Sequence, residues 1–99
     1  MQAAYRKIQL LAATGARHRS GFQLTNVTDQ FIIQGAINEL RELAAAPDDC
    51  AELADVFGCL LHYAVKKGWS PELLENNLLK KLAVRFTETN DKNDTITDN

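Results

Sequence analysis

Four carboxylate side chains stand at matching distances on either side of a bend that begins at Pro47. Glu42 and Glu52 are each five residues from Pro47, and Glu39 and Asp55 are each eight residues from it. If the flanking segments are helices that fold back on each other, a rise of about 1.5 Å per residue puts each pair level across the hairpin. Within each helix the spacing of three puts both acids on one face, and packed helix axes lie roughly 8–10 Å apart. All four carboxylates can therefore converge on one point.

Converging carboxylates need a counter-charge, because like charges at short range raise one another's pKa. Residues 39–55 hold six acidic side chains and a single basic one, Arg41. The natural neutraliser is a divalent cation, and ligands that are all oxygen favour Mg²⁺, with Mn²⁺ as a possible substitute, over zinc. The sequence therefore predicts that the four acids are metal ligands for Mg²⁺.

Magnesium held by carboxylates suits substitution at phosphorus, which needs charge neutralisation and alignment more than covalent catalysis. No Ser-His-Asp or Cys-His arrangement competes with this chemistry. An acid that the metal does not fully occupy can orient or deprotonate the attacking water. Glu42 lies toward the more open turn end and is our choice for that role, with Glu39 as the other catalytic candidate. The spacing alone does not single out either of them.

Composition narrows the class of protein. The chain has 99 residues, 45% of them hydrophobic, and a net charge of −2, which fits one domain and gives no bulk charge for binding a nucleic acid polymer. No apolar run approaches the roughly 18 residues that would span a bilayer, and the first residues fit a signal peptide poorly. Cys50 and Cys59 lie on one predicted helix with their Cα atoms about 13 Å apart, too far for a disulfide. We therefore expect reduced thiols and a cytoplasmic protein that has no membrane partner.

Every patterned segment has helical periodicity, which predicts an all-α fold, an up-down four-helix chain that assembles into a helical bundle dimer. Thr28 and Asp29 can cap the second helix, Gly68 suits the end of the third, and Ser70 with Pro71 suits the start of the fourth. The predicted helices are residues 2–13, 28–46, 49–67 and 70–86. We expect residues 1–86 to form the domain and residues 87–99 to be a polar, disordered tail.

Apolar stripes run along the last three predicted helices, and we expect them to face a core. The stripes are Ile33, Ala36, Ile37, Leu40, Leu43 and Ala44, then Leu53, Val56, Phe57, Leu60, Leu61 and Ala64, then Leu74, Leu78, Leu82 and Phe86. A core of this size is thin, and small chains of this kind often gain stability by oligomerising. The sequence therefore predicts a homodimer or a dimer of dimers.

Other side chains near the acids are candidates for substrate contacts. Arg17 and Arg19 lie in the loop after the first helix, which is either a solvated loop or a basic lid that meets the phosphate of a substrate. Gln34 and Asn38 carry amides that could read a base edge. His62 lies about 10 Å beyond Asp55 along the helix axis, too far to join the metal, so we expect a pocket wall or a partly exposed position.

The pattern Glu39-Leu40-Arg41-Glu42 followed by Glu52-Leu53-Ala54-Asp55 resembles the ExxE…ExxD signature of the MazG-like all-α nucleoside triphosphate pyrophosphohydrolases. The resemblance spans residues 28–86. Two such motifs in the right order on adjacent amphipathic helices, followed by a Gly-Trp turn and a fourth helix with Lys81-Leu82-Ala83-Val84-Arg85-Phe86, are far more specific than one ExxE alone.

The resemblance implies a MazG-like bundle and an activity. Its members hold Mg²⁺ with the four acids and convert a nucleoside triphosphate into the monophosphate and pyrophosphate. Lys81 and Arg85 match positions that approach the phosphates. This sequence has Leu79 where MazG-type sequences carry an Asn, and Asn77, one turn before Lys81, is the nearest candidate for that role.

Three functions therefore stay open at the level of sequence. The first is an Mg²⁺-dependent pyrophosphohydrolase that removes deoxynucleotides or aberrant nucleotides. The second is a non-catalytic helical module that dimerises and binds a nucleotide or a protein. The third is a structural bundle whose acids only solvate a helix pair. The complete acidic quartet favours the first, because four level carboxylates would destabilise an inert bundle that holds no metal.

Overall fold

The computed structural model describes residues 1–87, and all the regular elements in that part of the chain are α-helices. The helices are α1 (Gln2–Ala13), α2 (Asp29–Ala45), α3 (Cys50–Lys67) and α4 (Pro71–Arg85). The predicted all-α class is confirmed, and the predicted helix ends differ from these by one residue at most. Most of the predicted tail lies outside the described residues. No helix in residues 1–87 combines the length and the apolar composition that crossing a membrane requires.

The predicted caps hold the helix ends. The Thr28 hydroxyl accepts a hydrogen bond of 3.1 Å from the Phe31 amide at the start of α2, and the Ser70 hydroxyl accepts one of 3.1 Å from the Leu73 amide at the start of α4. Each bond satisfies an amide that has no partner inside its helix. Gly68 ends α3 with a φ of 76°, a left-handed conformation that glycine adopts without steric cost.

Helices α2 and α3 form an antiparallel hairpin, and α1 packs against α3. Tyr5 of α1 is buried with Leu61 and Ala64 of α3, and Ile8 and Val65 pack around them. Ile32, Ala36 and Val56 are the other buried apolar side chains in the described part of the chain. The hairpin is therefore the frame that carries the acids, with α1 bracing the end of α3 that is far from the bend.

The apolar stripes are only half buried, which contradicts the prediction that they face a core. The large side chains of the two hairpin stripes that remain exposed are Ile33, Ile37, Leu40, Leu53, Phe57 and Leu60, which we call the apolar face. Leu40 and Leu53 line one recess, so the two halves of this face lie side by side. The periodicity marked the apolar side of each helix correctly. Helix α1 packs against α3, and it leaves the apolar face exposed.

Helix α4 buries none of its side chains, and the prediction of a buried stripe along it is wrong for the single chain. Leu74, Leu78, Leu82 and Phe86 are all between 39% and 65% exposed. The first turns of α4 line a groove of about 630 Å³ together with α3 and the start of α1. The chain thus has four helices, of which three pack closely and the fourth borders an open apolar groove.

Candidate metal centre

Three of the four predicted ligands come together in the hairpin. Glu39 of α2 and both Glu52 and Asp55 of α3 each offer one carboxylate oxygen, and these oxygens all lie within 4.8 Å of one another. The antiparallel register that brings them together is also visible one turn further from the bend. There the Sγ atom of Cys59 lies 3.9 Å from the point that a Cβ on Gly35 would occupy. Both of these residues are twelve positions from Pro47, as the level pairing predicts.

Two oxygens in the cluster have neither solvent nor a partner. The Oε1 atoms of Glu39 and Glu52 are buried and make no hydrogen bond. A carboxylate oxygen in that state has lost its hydration without compensation, which is costly. The ion pairs in residues 1–87 are those of Asp29 with Lys66 and Lys67, so no base neutralises these acids. The donor set therefore fits a hard divalent cation, which would bind both oxygens.

The pKa shifts in the cluster also fit a site for a divalent cation. Burial, followed by the negative charges of Glu42 and Asp55, raises the pKa of Glu39 above its usual range. Burial and the charges of the neighbouring acids, Glu42 first, likewise raise the pKa of Glu52. The same region raises the pKa of the Cys59 thiol, mainly through burial and then through Glu39 and Asp55. A cation bound here would reverse the direction of these shifts.

Glu42 stands beside the cluster and not inside it. Its side chain is exposed, and it is absent from the set of oxygens within 4.8 Å. Its charge nevertheless raises the pKa of both Glu39 and Glu52, which places it next to them. The predicted convergence of four carboxylates is thus found for three, and the fourth is free of the cluster at the exposed end of the site.

Most of the predicted substrate contacts lie apart from the acids. Lys81 and Arg85 are exposed on α4, and neither forms an ion pair within the described residues. The Asn77 amide donates a 2.9 Å hydrogen bond to the Leu73 carbonyl of its own helix, so it is committed locally. Helix α4 does not pack along the hairpin, and the single chain does not bring these three residues to the metal centre.

The two amides on α2 pair with each other. Nε2 of Gln34 donates to Oδ1 of Asn38 at 3.1 Å, and both side chains are exposed. Asn38 is next to Glu39 in sequence and Gln34 is five residues before it, so the pair lies on the helix that carries one acid of the cluster. An amide pair of this kind still has a free donor and a free acceptor for a base edge.

The loop between α1 and α2 is a folded hairpin. Arg17 and Gln23 form an isolated antiparallel bridge, and Nη1 of Arg17 donates to the Gly21 carbonyl at 2.8 Å. Phe22 stacks on His18 at 4.6 Å between ring centroids and meets Phe31 of α2 edge-on at 4.9 Å. The loop is therefore attached to the start of α2, with Arg19 exposed on it.

His62 is more deeply buried than a partly exposed side chain would be. Its side chain is buried, and its Nε2 atom donates a 2.8 Å hydrogen bond to the Leu24 carbonyl of the loop. Of the two expected positions, the partly exposed one is wrong, because the loop folds over this face of α3, and the pocket wall stays a prediction. Leu24 is 38 residues away in sequence, and no local spacing signals the contact.

The ion pairs of Asp29 with Lys66 and Lys67 were not predicted from the sequence. The two lysines end α3, where positive charge suits the helix dipole, and that local explanation required no partner. Nζ of Lys66 lies 2.6 Å from Oδ1 of Asp29, and Lys67 binds the other oxygen. The same counting from Pro47 that pairs the acids could have found this contact, since Asp29 is eighteen residues before it and Lys66 nineteen after. These pairs hold the open ends of the hairpin together.

Comparisons with protein-family models, with curated proteins and with solved structures give no match to this chain. The resemblance to the pyrophosphohydrolases therefore stays a prediction from the motif residues alone.

Proposed function

We propose that this chain is an Mg²⁺-dependent nucleoside triphosphate pyrophosphohydrolase that works on deoxynucleotides or aberrant nucleotides. The observation that supports this most is the pair of buried, unpartnered carboxylate oxygens of Glu39 and Glu52 within a cluster completed by Asp55. Three acids whose oxygens converge with no base beside them form an oxygen-only ligand set, the set that magnesium prefers.

The proposed reaction is attack of water on the α-phosphorus. A new bond forms between the water oxygen and the α-phosphorus, the bond from that phosphorus to the bridging oxygen breaks, and pyrophosphate leaves intact. When bound, the metal supplies charge neutralisation and alignment of the phosphates. Glu39, Glu52 and Asp55 hold it, and Glu42, exposed beside them, accepts a proton from the attacking water.

Helix α4 must come to the metal centre for Lys81 and Arg85 to neutralise the phosphates. In the single chain α4 borders an open groove, and its stripe of Leu74, Leu78 and Leu82 is exposed. We propose that the chain is a homodimer or a dimer of dimers in a MazG-like bundle, which covers these side chains and the apolar face. Large apolar side chains exposed in this number on a small chain are typical of an interface.

A non-catalytic helical module that dimerises and binds a nucleotide or protein is the second candidate. The exposed apolar face favours it, since a binding module needs such a surface and needs no metal centre. The two functions differ in turnover, which only the first provides.

The deciding experiment is a panel of ribonucleoside and deoxynucleoside triphosphates incubated with Mg²⁺ or Mn²⁺. The assay separates pyrophosphate from orthophosphate. Pyrophosphate released in a one-to-one ratio with the monophosphate supports the enzyme, and its release should be lost in Glu52→Gln. Orthophosphate as the first product, or no turnover of any triphosphate, would favour the binding module.

A further inference from the structure

A buried histidine joins the basic loop to the helix that carries the acids. Among the described residues His62 is the one buried polar residue, with 9% of its surface exposed, and its Nε2 atom donates to the Leu24 carbonyl at 2.8 Å. A histidine buried in this way needs a partner for its ring N–H group, and here the partner is loop backbone. The bond thus fixes both the ring and the loop.

The position of His62 on α3 directs the loop to the acid face. Asp55, Cys59 and His62 follow one another at intervals of four and three residues, so they share one side of the helix. His62 lies roughly 10 Å from Asp55 along the axis. A nucleoside triphosphate is longer than this interval. If one of its phosphates binds at the acids and the rest extends toward the open end of the hairpin, it passes beside the loop.

The loop that His62 holds is structured and carries positive charge. The Arg17–Gln23 bridge closes it, and Nε2 of Gln23 donates to the Gly15 carbonyl at 3.3 Å. Its second attachment to the hairpin is the contact of Phe22 with Phe31. Arg17 and Arg19 are exposed on it, and Nη1 of Arg17 donates to the Gly21 carbonyl of the same loop. Such a loop can offer cationic groups to an anionic substrate only while it is held in place.

We propose that His62 is a positioning residue, which holds the loop at the acid face so that Arg17 and Arg19 meet the substrate. This proposal rests on the proposed pyrophosphohydrolase function for the identity of the substrate. The anchoring itself does not depend on any activity. His62 touches neither the metal nor the reacting phosphorus, so its loss should weaken substrate binding more than turnover.

Limited trypsin digestion tests the anchor. Because a hydrogen bond of this kind contributes modestly to local stability, His62→Leu should speed cleavage after Arg17 and Arg19 by about threefold to tenfold. His62→Gln keeps an N–H donor and should restore the parent rate to within about twofold. Cleavage after Lys81 on α4 is the internal reference and should not change. The control Val65→Ala weakens the core beside α1 without touching the loop bond, so it separates general destabilisation from release of the loop.

Kinetics and protection test the role toward substrate. We expect His62→Leu to raise KM for the preferred triphosphate by about fivefold or more with kcat within about twofold, and His62→Gln to reverse this. The triphosphate with Mg²⁺ should also protect Arg17 and Arg19 of the parent from trypsin. A triphosphate from the same panel serves in this binding assay even if none is hydrolysed.

The outcomes separate the two proposals. Equal cleavage of His62→Leu and the parent after Arg17 and Arg19 would overturn the anchor. Faster cleavage without a rise in KM, or the absence of protection by every triphosphate, would overturn the substrate role of the loop. Protection of the loop without pyrophosphate release would support the positioning of substrate by His62 while the proposed hydrolysis fails.

Discussion

Glu39 and Asp55 face each other across the α2–α3 hairpin, with a carboxylate oxygen of each inside a cluster that spans no more than 4.8 Å. They come from different helices, so their mutual repulsion acts directly against closure of the hairpin. The contacts that oppose this repulsion lie elsewhere along the hairpin, in its buried apolar side chains and in the ion pairs of Asp29. The divalent cation that we propose for this site would relieve the repulsion.

Mg²⁺ or Mn²⁺ should raise the melting temperature, because the cation relieves this repulsion and binds only the folded arrangement. At a concentration one hundred times its Kd the metal adds about 2.7 kcal/mol to the free energy of unfolding. The gain should vanish in Asp55→Asn and persist in the control Asp48→Asn, which changes an acid at the bend outside the cluster. Differential scanning calorimetry with and without metal measures it, and an identical response of Asp55→Asn and the parent would place the site elsewhere.

The free energy of unfolding of the metal-free protein should fall as the pH rises above the ordinary pKa of a glutamate side chain. Burial and then the nearby acids raise the pKa of Glu39 and of Glu52 above 4.5 in the folded protein. Between the unfolded and folded pKa values the folded state binds more protons, so the free energy of unfolding falls as pH rises through that window. Thermal melts from about pH 4.5 upward in a chelating buffer should record this slope, which depends on the raised pKa values.

A double variant and a separate acid provide the controls for that slope. Glu39→Gln with Glu52→Gln should flatten it, since neither side chain then titrates. Asp29 acts with the opposite sign, because hydrogen bonds from Lys66 and then Lys67 lower its pKa below 3.8. Its stabilisation is present above 3.8 and is lost as the pH falls through the lowered pKa, so Asp29→Asn should lower the stability throughout the range above 3.8 and remove the slope only at the acid end. A slope that survives in the double variant would contradict the assignment.

The hairpin could be predicted in detail because one bend sets a register. Counting outward from Pro47 pairs Glu39 with Asp55 and Gly35 with Cys59, and the structure places both pairs opposite each other. The helix ends were equally accessible, since the caps are local chemistry within three or four residues. Contacts within three or four residues, and contacts between positions equally far from a turn, can therefore be predicted from sequence alone.

The sequence could not predict which part of the chain, if any, packs over the apolar side of a helix. Periodicity identifies Phe57 and Leu60 as apolar positions, but it does not say whether the chain itself provides a cover, and here it does not. The bond between His62 and Leu24 depends on the path of a loop with no periodic pattern. Glu42 shares the spacing of the other acids yet lies outside their cluster, because equal distance along the axis does not fix the direction of a long side chain.

The apolar face predicts association in solution. We expect the parent to be a dimer or tetramer by multi-angle light scattering at micromolar concentration. Phe57→Glu should weaken association at least about tenfold, since a charge would be buried in the interface. Phe57 is 39% exposed in the single chain, so the glutamate can reach water there and the helices should still form. Leu10→Glu, at an exposed site on α1 outside the apolar face, is the matched control, and a monomeric parent would refute the assembly.

Glu42→Gln tests the chemistry most directly, because it removes a carboxylate that the cluster does not contain. In the proposed mechanism this group takes a proton from the attacking water, and its loss should lower kcat by at least about 10²-fold. The fold should survive, since Glu42 is exposed and its charge repels Glu39 and Glu52. Glu75→Gln, an exposed acid on α4, is the control. Turnover and products are compared by ion-exchange chromatography for proteins with equal circular-dichroism spectra. A Glu42→Gln protein that still releases pyrophosphate at the parent rate would remove Glu42 from the mechanism, and Glu39 would then be the acid to test.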